Sequence, residues 1–228
     1  MPYKFLLFDL DHTLLDFNAG EEVALTQFLQ EMGVEDILAF KNYYRPMNQA
    51  MWKDLEQKKI SKQELINTRF SRAFAHFGRQ VDGRKLALTY QEFIGRQGQI
   101  FQGADQLLAE LTDRGYQIYG ATNGVTYIQV NRMANSPIQT YFKDVFISEQ
   151  MGTQKPEALF YEKIAERIAG FERKQSLMIG DSLTADVQGG NNAGIDTVWY
   201  NPNRLANTSL AKPTYTVSNY QELLQLLK

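Results

Sequence analysis

Hydrophobic and polar positions alternate between two patterns along the chain, one typical of strands and one typical of helices. Short, almost continuous apolar runs are typical of strands buried on both faces of a parallel sheet. They precede Asp9 and recur at 116–121, 144–148, 176–180 and 196–200, with a short edge piece at 214–218. Helical spacing fills the stretches between them, as at Leu107, Leu108 and Leu111. Strands that alternate with helices predict right-handed βαβ units and an α/β fold with a doubly wound, Rossmann-like parallel sheet.

One long segment interrupts this alternation directly after the first strand. Leu25, Phe28, Leu29 and Met32 have the i, i+3, i+4, i+7 spacing of a helix, and no strand pattern occurs between residues 18 and 95. The tetrapeptide Ser61-Lys62-Gln63-Glu64 has the pattern of a capping box at a helix start. We therefore predict a core of residues 1–17 and 96–228 and an inserted all-helical domain of residues 18–95.

Composition narrows the class of protein. The chain of 228 residues has 43% hydrophobic residues, 24 basic and 26 acidic residues, and a net charge of −2, which argues against a general nucleic-acid binder. The absence of cysteine excludes disulfides and thiolate chemistry. No apolar run approaches the ~20 residues of a membrane span, and the N-terminal run meets Asp9 too early for a signal peptide. These features favour a cytoplasmic enzyme without a membrane partner.

Polar side chains of matched type follow the predicted strands. Parallel strands bring their carboxyl ends to one edge of the sheet, where open α/β sheets bind ligands. The candidate site residues at these ends are Asp9, Asp11, Thr122, Asn123, Lys155, Asp181 and Asp186. Gly124 follows at a predicted helix start, where free backbone N–H groups can hold a phosphate.

Charge repulsion limits what this set can do. Two like charges ~4 Å apart repel by about 4 kcal/mol at an effective dielectric constant of 20. Four carboxylates beside a phosphate would therefore need more compensation than Lys155 alone supplies. Carboxylate, carbonyl and water oxygens suit Mg²⁺, which also binds phosphate. The residues thus predict a magnesium site, although a solvated strand end or a structural metal site remains the alternative for Asp9 and Asp11, and loop bracing for Asp186.

These segments resemble the four signature motifs of the haloacid-dehalogenase-like hydrolases. The motifs, in chain order, are Asp9-Leu10-Asp11-His12-Thr13, Ala121-Thr122-Asn123, Lys155-Pro156, and Gly180-Asp181-Ser182 followed by Asp186. They span nearly the whole chain outside the insertion, which resembles the helical cap of one subfamily. The residues around these motifs are similar to those of the YjjG-type pyrimidine nucleoside 5′-monophosphate phosphatases.

The resemblance implies an aspartyl-phosphate mechanism. Asp9 is expected to attack phosphorus, and Asp11 to protonate the leaving alcohol and later activate water. Thr122, Asn123 and Lys155 are expected to hold the phosphoryl oxygens.

The resemblance also implies the set of Mg²⁺ ligands. These are the Asp9 side chain, the Asp11 backbone carbonyl and Asp181, with Asp186 ligating directly or through water.

The function that follows is a Mg²⁺-dependent phosphomonoesterase acting on a small phosphorylated metabolite, foremost a nucleoside 5′-monophosphate, rather than on a nucleic-acid polymer. One alternative is a sugar-phosphate or phosphoglycolate phosphatase with the same core. Another is a non-catalytic relative that binds a phosphorylated ligand. The cap residues that select the leaving group, and the oligomeric state, stay open.

Overall fold

The computed structural model describes residues 3–228, and these form two compact units. The first comprises the described residues up to Phe17 together with Gly98–Lys228, and the second is Asn18–Gln97. The sequence pattern placed the return to the core at residue 96, whereas the compact unit resumes at Gly98.

The first unit is built on a parallel sheet. Within residues 3–228 the sheet has six strands in the order β3-β2-β1-β4-β5-β6, and every neighbouring pair is parallel. The strands are β1 (Phe5–Phe8), β2 (Gln117–Thr122), β3 (Asp144–Ile147), β4 (Ser176–Gly180), β5 (Asp196–Tyr200) and β6 (Tyr215–Val217). The predicted doubly wound α/β fold is confirmed. Because β1 lies between β2 and β4, the residues that follow these three strands meet at one edge.

Helices cover both faces of this sheet. Those of the first unit are α5 (Ala104–Asp113), α6 (Thr126–Ala134), α7 (Ser148–Met151), α8 (Ala158–Arg167), α9 (Gln188–Ala193) and α10 (Tyr220–Leu226), numbered after the four of the second unit. Leu6 and Phe8 of β1 pack with apolar side chains of α5 and α10. Phe5 and Leu7 point to the opposite face and pack with α8 and α9. Complete burial of each such side chain contributes about 1.5–3 kcal/mol, so β1 is strongly fixed.

The second unit consists of helices joined by short turns. Its elements are α1 (Phe17–Glu31, whose first residue belongs to the first unit), α2 (Ile37–Glu56), α3 (Lys62–His76) and α4 (Gly83–Gly95). The predicted cap at Ser61 is confirmed, since its hydroxyl accepts from the Glu64 N–H at 3.1 Å.

One predicted helix start is wrong. Proline is favoured in the first turn of a helix, so the sequence predicts a helix that opens at Pro156, but α8 begins at Ala158. The Lys155-Pro156 peptide is cis and lies in a turn that is closed by a 2.8 Å hydrogen bond from the Glu157 N–H to the Gln154 carbonyl. The turn therefore occupies the residues that the pattern assigned to the helix. Within residues 3–228, no helix combines the length and apolar character needed to cross a membrane.

Candidate active site

Asp9 lies at the carboxyl end of the central strand. Its backbone N–H donates to the Ile179 carbonyl of β4 at 2.8 Å, which fixes the residue immediately after β1. The carboxylate is almost buried and accepts from Lys155 Nζ at 2.7 Å on Oδ1. The Thr13 hydroxyl donates to Oδ2 at 3.3 Å. The carboxylate is therefore held by groups from two separate loops.

Lys155 is a buried cation at the centre of this arrangement. Its ammonium donates to Asp9 Oδ1 (2.7 Å), Asp186 Oδ1 (2.6 Å) and the Ala121 carbonyl (2.6 Å). Three acceptors match the three N–H bonds of a lysine ammonium. The side chain of Asn123 fixes the backbone of Lys155, accepting from its N–H at 2.9 Å and donating to its carbonyl at 2.8 Å. Asn123 therefore positions Lys155 here, and its contact with phosphoryl oxygens stays a prediction.

Two further carboxylates complete the cluster. Among the described residues, one carboxylate oxygen each of Asp9, Asp181 and Asp186 lies within 4.8 Å of the other two. Asp186 is buried, and its Oδ2 accepts from the Ser182 N–H at 3.0 Å. Asp181 is fixed through its backbone, since its carbonyl accepts from the Trp199 indole N–H at 2.9 Å. Three acids from two strand ends thus surround one point.

Burial dominates the electrostatics of these groups. Desolvation raises the pKa of Asp9 well above its ordinary value, the Lys155 charge opposes that rise, and the neighbouring carboxylates add to it. Desolvation and the charge of Asp186 raise the pKa of Asp181 to about 7. Burial lowers the pKa of Lys155, but the carboxylates of Asp186 and Asp9 outweigh it and raise that pKa. One lysine thus leaves the three acids under-compensated.

This donor set fits a divalent cation. The converging atoms are carboxylate oxygens, which are the ligands that Mg²⁺ prefers in proteins. Burial and the neighbouring carboxylates raise the pKa of Asp9 and Asp181, and a cation placed among these acids would favour their ionised forms. Asp9, Asp181 and Asp186 are therefore the side chains that can hold it. A contact from the Asp11 backbone carbonyl stays a prediction.

The carboxylate of Asp11 has different partners. Arg132 Nη1 donates to its Oδ1, and Gln129 Nε2 donates to its Oδ2 at 2.6 Å. The same Gln129 nitrogen donates to the Thr122 hydroxyl at 2.9 Å. Asp11 and Thr122 are therefore linked through one side chain of α6.

The structure thus brings the seven candidate site residues predicted from the sequence to one edge of the sheet. Three polar residues that contact them were not predicted as part of the site: Thr13, Gln129 and Arg132. Thr13 is buried and contacts Asp9 as well as Asp181, whose N–H donates to its hydroxyl at 3.2 Å. Gln129 and Arg132 are separated by one helical turn on α6 and are both buried. Their i, i+3 spacing immediately after the Thr122 loop is the signal that could have identified them.

Comparisons with known proteins find matches over most or all of the chain. Residues 6–200 match the family model described as haloacid dehalogenase-like hydrolase. The chain is 64% identical over 227 residues to the pyrimidine 5′-nucleotidase PynA of Streptococcus pneumoniae strain R6, covering 100% of this chain and 96% of that protein. It is 30% identical to the pyrimidine 5′-nucleotidase YjjG of Escherichia coli K12, covering 100% of this chain and 99% of that protein.

A solved structure has the same fold throughout. The putative HAD-hydrolase YfnB of Bacillus subtilis, bound to magnesium, superimposes with a TM-score of 0.94 at 37% sequence identity, and the match covers 100% of both chains.

Proposed function

The chain belongs to the haloacid dehalogenase-like hydrolases, and from that premise we propose that it is a Mg²⁺-dependent phosphomonoesterase that hydrolyses nucleoside 5′-monophosphates, pyrimidine nucleotides foremost. The observation that supports this most directly is the buried Asp9 carboxylate, held by Lys155 beside Asp181 and Asp186. A nucleophile, a fixed cation and a cluster of metal-ligating oxygens are the elements that phosphoryl transfer through an aspartyl-phosphate requires.

The first half of the reaction transfers the phosphoryl group to Asp9. A carboxylate oxygen of Asp9 forms a bond to phosphorus while the bond from phosphorus to the 5′-oxygen breaks. Asp11 donates a proton to the departing oxygen, which leaves as the nucleoside 5′-hydroxyl. General-acid assistance of this kind contributes about 10²–10⁴ in rate.

The second half releases phosphate. Water attacks the phosphorus of the aspartyl-phosphate, Asp11 accepts a proton from that water, and the Asp9 carboxylate is regenerated. Asp11 loses one proton in the first half and regains one in the second, so the enzyme returns to its starting state. Asp9 and Asp11 have different partners in the structure, since Lys155 donates to Asp9 and Gln129 donates to Asp11.

Other residues hold the transferred group. The Lys155 ammonium supplies positive charge at the phosphoryl oxygens, and the Thr122 hydroxyl supplies a hydrogen bond to one of them. Bound Mg²⁺ at Asp9, Asp181 and Asp186 would neutralise charge on the phosphoryl group and on the acidic cluster. Asn123 keeps the Lys155 backbone in place through its two hydrogen bonds.

The substrate class is supported by similarity. PynA and YjjG are both named pyrimidine 5′-nucleotidases, and each match covers nearly the whole of both proteins. The partner is then a small phosphorylated nucleotide.

Phosphate release across a panel of compounds tests the proposal. The panel contains pyrimidine and purine nucleoside monophosphates, phosphoglycolate and hexose phosphates, each compared by kcat/KM with Mg²⁺ and with excess chelator. We expect Mg²⁺-dependent release that is highest for pyrimidine nucleotides and lost in Asp9→Asn. The matched control is Asp113→Asn, which alters an exposed acid at the end of α5.

Two results would contradict this. Absence of turnover with every compound in the presence of Mg²⁺ would overturn the phosphatase assignment. A clear preference for phosphoglycolate or a hexose phosphate would overturn the nucleotide assignment and keep the phosphatase.

A further inference from the structure

We propose that Gln129 and Arg132 of α6 are positioning residues that hold the Asp11 carboxylate and the Thr122 hydroxyl in one hydrogen-bonded unit. This inference rests on the proposed function, in which Asp11 is the acid–base group and Thr122 a phosphoryl ligand. It adds that the orientation of both groups is set from a single helix, outside the four sequence motifs.

Both oxygens of the Asp11 carboxylate are engaged by α6. Arg132 Nη1 donates to Oδ1, and Gln129 Nε2 donates to Oδ2 at 2.6 Å. The Arg132 side chain is 0% exposed, whereas that of Asp11 is 26% exposed. A carboxylate bound at both oxygens has its plane and its distance from the helix fixed. The Asp11 carboxylate is therefore held from the side of α6 while its side chain stays partly exposed.

The orientation of the Gln129 amide follows from its neighbours. Its Oε1 accepts from Arg132 Nη1 at 3.4 Å, while its Nε2 faces the Asp11 carboxylate. In the flipped orientation the amide oxygen would face the carboxylate and the NH₂ group would face the guanidinium, and both contacts would be repulsive. The two residues thus fix each other as well as Asp11.

Gln129 also sets the direction of the Thr122 hydroxyl. The Thr122 oxygen accepts from Gln129 Nε2 at 2.9 Å and from the Gly124 N–H at 3.0 Å. A hydroxyl has two acceptor lone pairs and one donor hydrogen. Because both lone pairs are occupied, the hydrogen is directed away from α6 and is available for a phosphoryl oxygen.

Gly124 provides the space for this arrangement. A Cβ atom on Gly124 would lie 2.5 Å from Cγ and 2.5 Å from Nε2 of Gln129, closer than real Cβ atoms approach. The nearest atoms all belong to the buried Gln129 side chain, so an alanine at this position would have to displace that side chain. Gly124→Ala therefore perturbs Gln129 without removing its amide.

Leaving-group dependence separates positioning from a merely structural role. A nucleoside 5′-oxygen needs a proton to depart, whereas p-nitrophenolate departs without one. The quantity compared is kcat/KM, which covers only the steps up to release of the leaving group and excludes hydrolysis of the aspartyl-phosphate. A defect in the orientation of Asp11 then affects the nucleotide far more than the aryl phosphate.

The experiment measures kcat/KM for a pyrimidine nucleoside 5′-monophosphate and for p-nitrophenyl phosphate with saturating Mg²⁺. For Arg132→Lys we expect a loss of about tenfold or more on the nucleotide and less than about threefold on the aryl phosphate. Gln129→Met also removes the hydrogen bond to the Thr122 hydroxyl, so we expect kcat/KM to fall for both substrates, and to fall more for the nucleotide. Gly124→Ala should lower kcat/KM in the same pattern as Gln129→Met. Combining Gly124→Ala with Gln129→Met should lower it little further than either single variant.

Val130→Ala is the matched control, because Val130 lies between the two residues on α6 and is 50% exposed. It should leave kcat/KM unchanged for both substrates. Equal losses on both substrates in Arg132→Lys, or no loss in the folded Gln129→Met and Gly124→Ala variants, would overturn the inference while wild-type turnover still supports the proposed function. If Arg132→Lys does not fold, as judged by circular dichroism, Gln129→Met and Gly124→Ala decide the question. Absence of wild-type turnover would instead overturn the proposed function.

Discussion

Lys155 and Asp9 form an ion pair inside the protein, with Nζ 2.7 Å from Oδ1 and side-chain exposures of 2% and 11%. The same ammonium contacts Asp186 at 2.6 Å. Removal of one partner from a buried pair leaves an uncompensated charge, which costs more than the pair contributes. Lys155 therefore has a role in stability as well as in the proposed chemistry.

Replacing Lys155 with methionine should destabilise the protein and abolish turnover. The apolar side chain has a similar volume but leaves Asp9 and Asp186 without their cation, so we expect the free energy of unfolding to fall by about 3–5 kcal/mol. Saturating Mg²⁺ should recover part of this loss, because it binds the folded state. Urea unfolding with and without Mg²⁺ measures both effects.

Lys143→Met is the control for that variant, since Lys143 is exposed and immediately precedes β3. It should change the free energy of unfolding by less than about 0.5 kcal/mol. Equal stability of Lys155→Met and the wild type would show that the ion pair does not balance these acids.

A methyl group at Gly180 should disturb the acidic cluster. An added Cβ would overlap the Asp186 carboxylate, which is buried and already bound by Lys155 and the Ser182 N–H. Because Asp186 has no room to move, we expect Gly180→Ala to cost about 1–3 kcal/mol of stability. The Mg²⁺ concentration needed for half-maximal activity should rise as well.

Gly120→Ala is the comparison variant, at a glycine of β2 on the other side of β1 from Gly180. There the added Cβ would lie 3.0 Å from Val145 Cγ1, an apolar side chain away from the cluster. This variant should lose some stability and keep the Mg²⁺ dependence of the wild type. A similar rise in the Mg²⁺ requirement for both variants would contradict the view that Gly180→Ala acts by displacing the Asp186 carboxylate.

Stability at low pH should report on an ion-pair network in the second unit. Hydrogen bonds from Lys41 at 2.7 Å and Arg45 at 2.6 Å lower the pKa of Glu22 to about 2. Arg45 also donates to Glu21 at 3.0 Å, and Lys41 donates to Thr26. A carboxyl group whose pKa is lower in the folded than in the unfolded protein stabilises the fold when the pH is above the unfolded-state pKa of about 4.3. This stabilisation is lost as the pH falls toward the folded-state pKa of about 2.

The difference in the free energy of unfolding between wild type and Glu22→Gln should therefore shrink as the pH falls from about 6 to about 3. Since the Glu22 side chain is 56% exposed, solvent screening keeps the difference below about 1 kcal/mol. Glu31→Gln, at the exposed end of α1, should show no such trend. A difference that stays constant across this range would contradict the assignment.

The sheet and the position of the acids follow from the sequence because burial is continuous along the strands. Phe5–Phe8 is apolar at every position and fully buried, so Asp9 marks the strand end without ambiguity. Parallel topology then gathers Lys155 and Asp186 beside it, although they lie far away along the chain. Local pattern and the rules of strand connection are sufficient for this part.

The hydrogen-bond partners of these residues do not follow from local pattern. Gln129 and Arg132 are polar residues within a helix, where such side chains usually face solvent. Their burial arises because the loop that carries Asp11 lies against α6. The pairing of Asn123 with the Lys155 backbone likewise depends on the meeting of two loops that are remote in sequence. Such contacts need the folded geometry.

Covalent trapping tests the role of Asp9 most directly. The wild type is mixed with a pyrimidine nucleoside 5′-monophosphate and Mg²⁺, quenched in acid during turnover, digested and analysed by peptide mass spectrometry. We predict a single added phosphoryl group on the peptide that contains Asp9, and neither the adduct nor turnover in Asp9→Asn. Full turnover in Asp9→Asn, or a phosphoryl group found on another residue, would contradict the proposed mechanism.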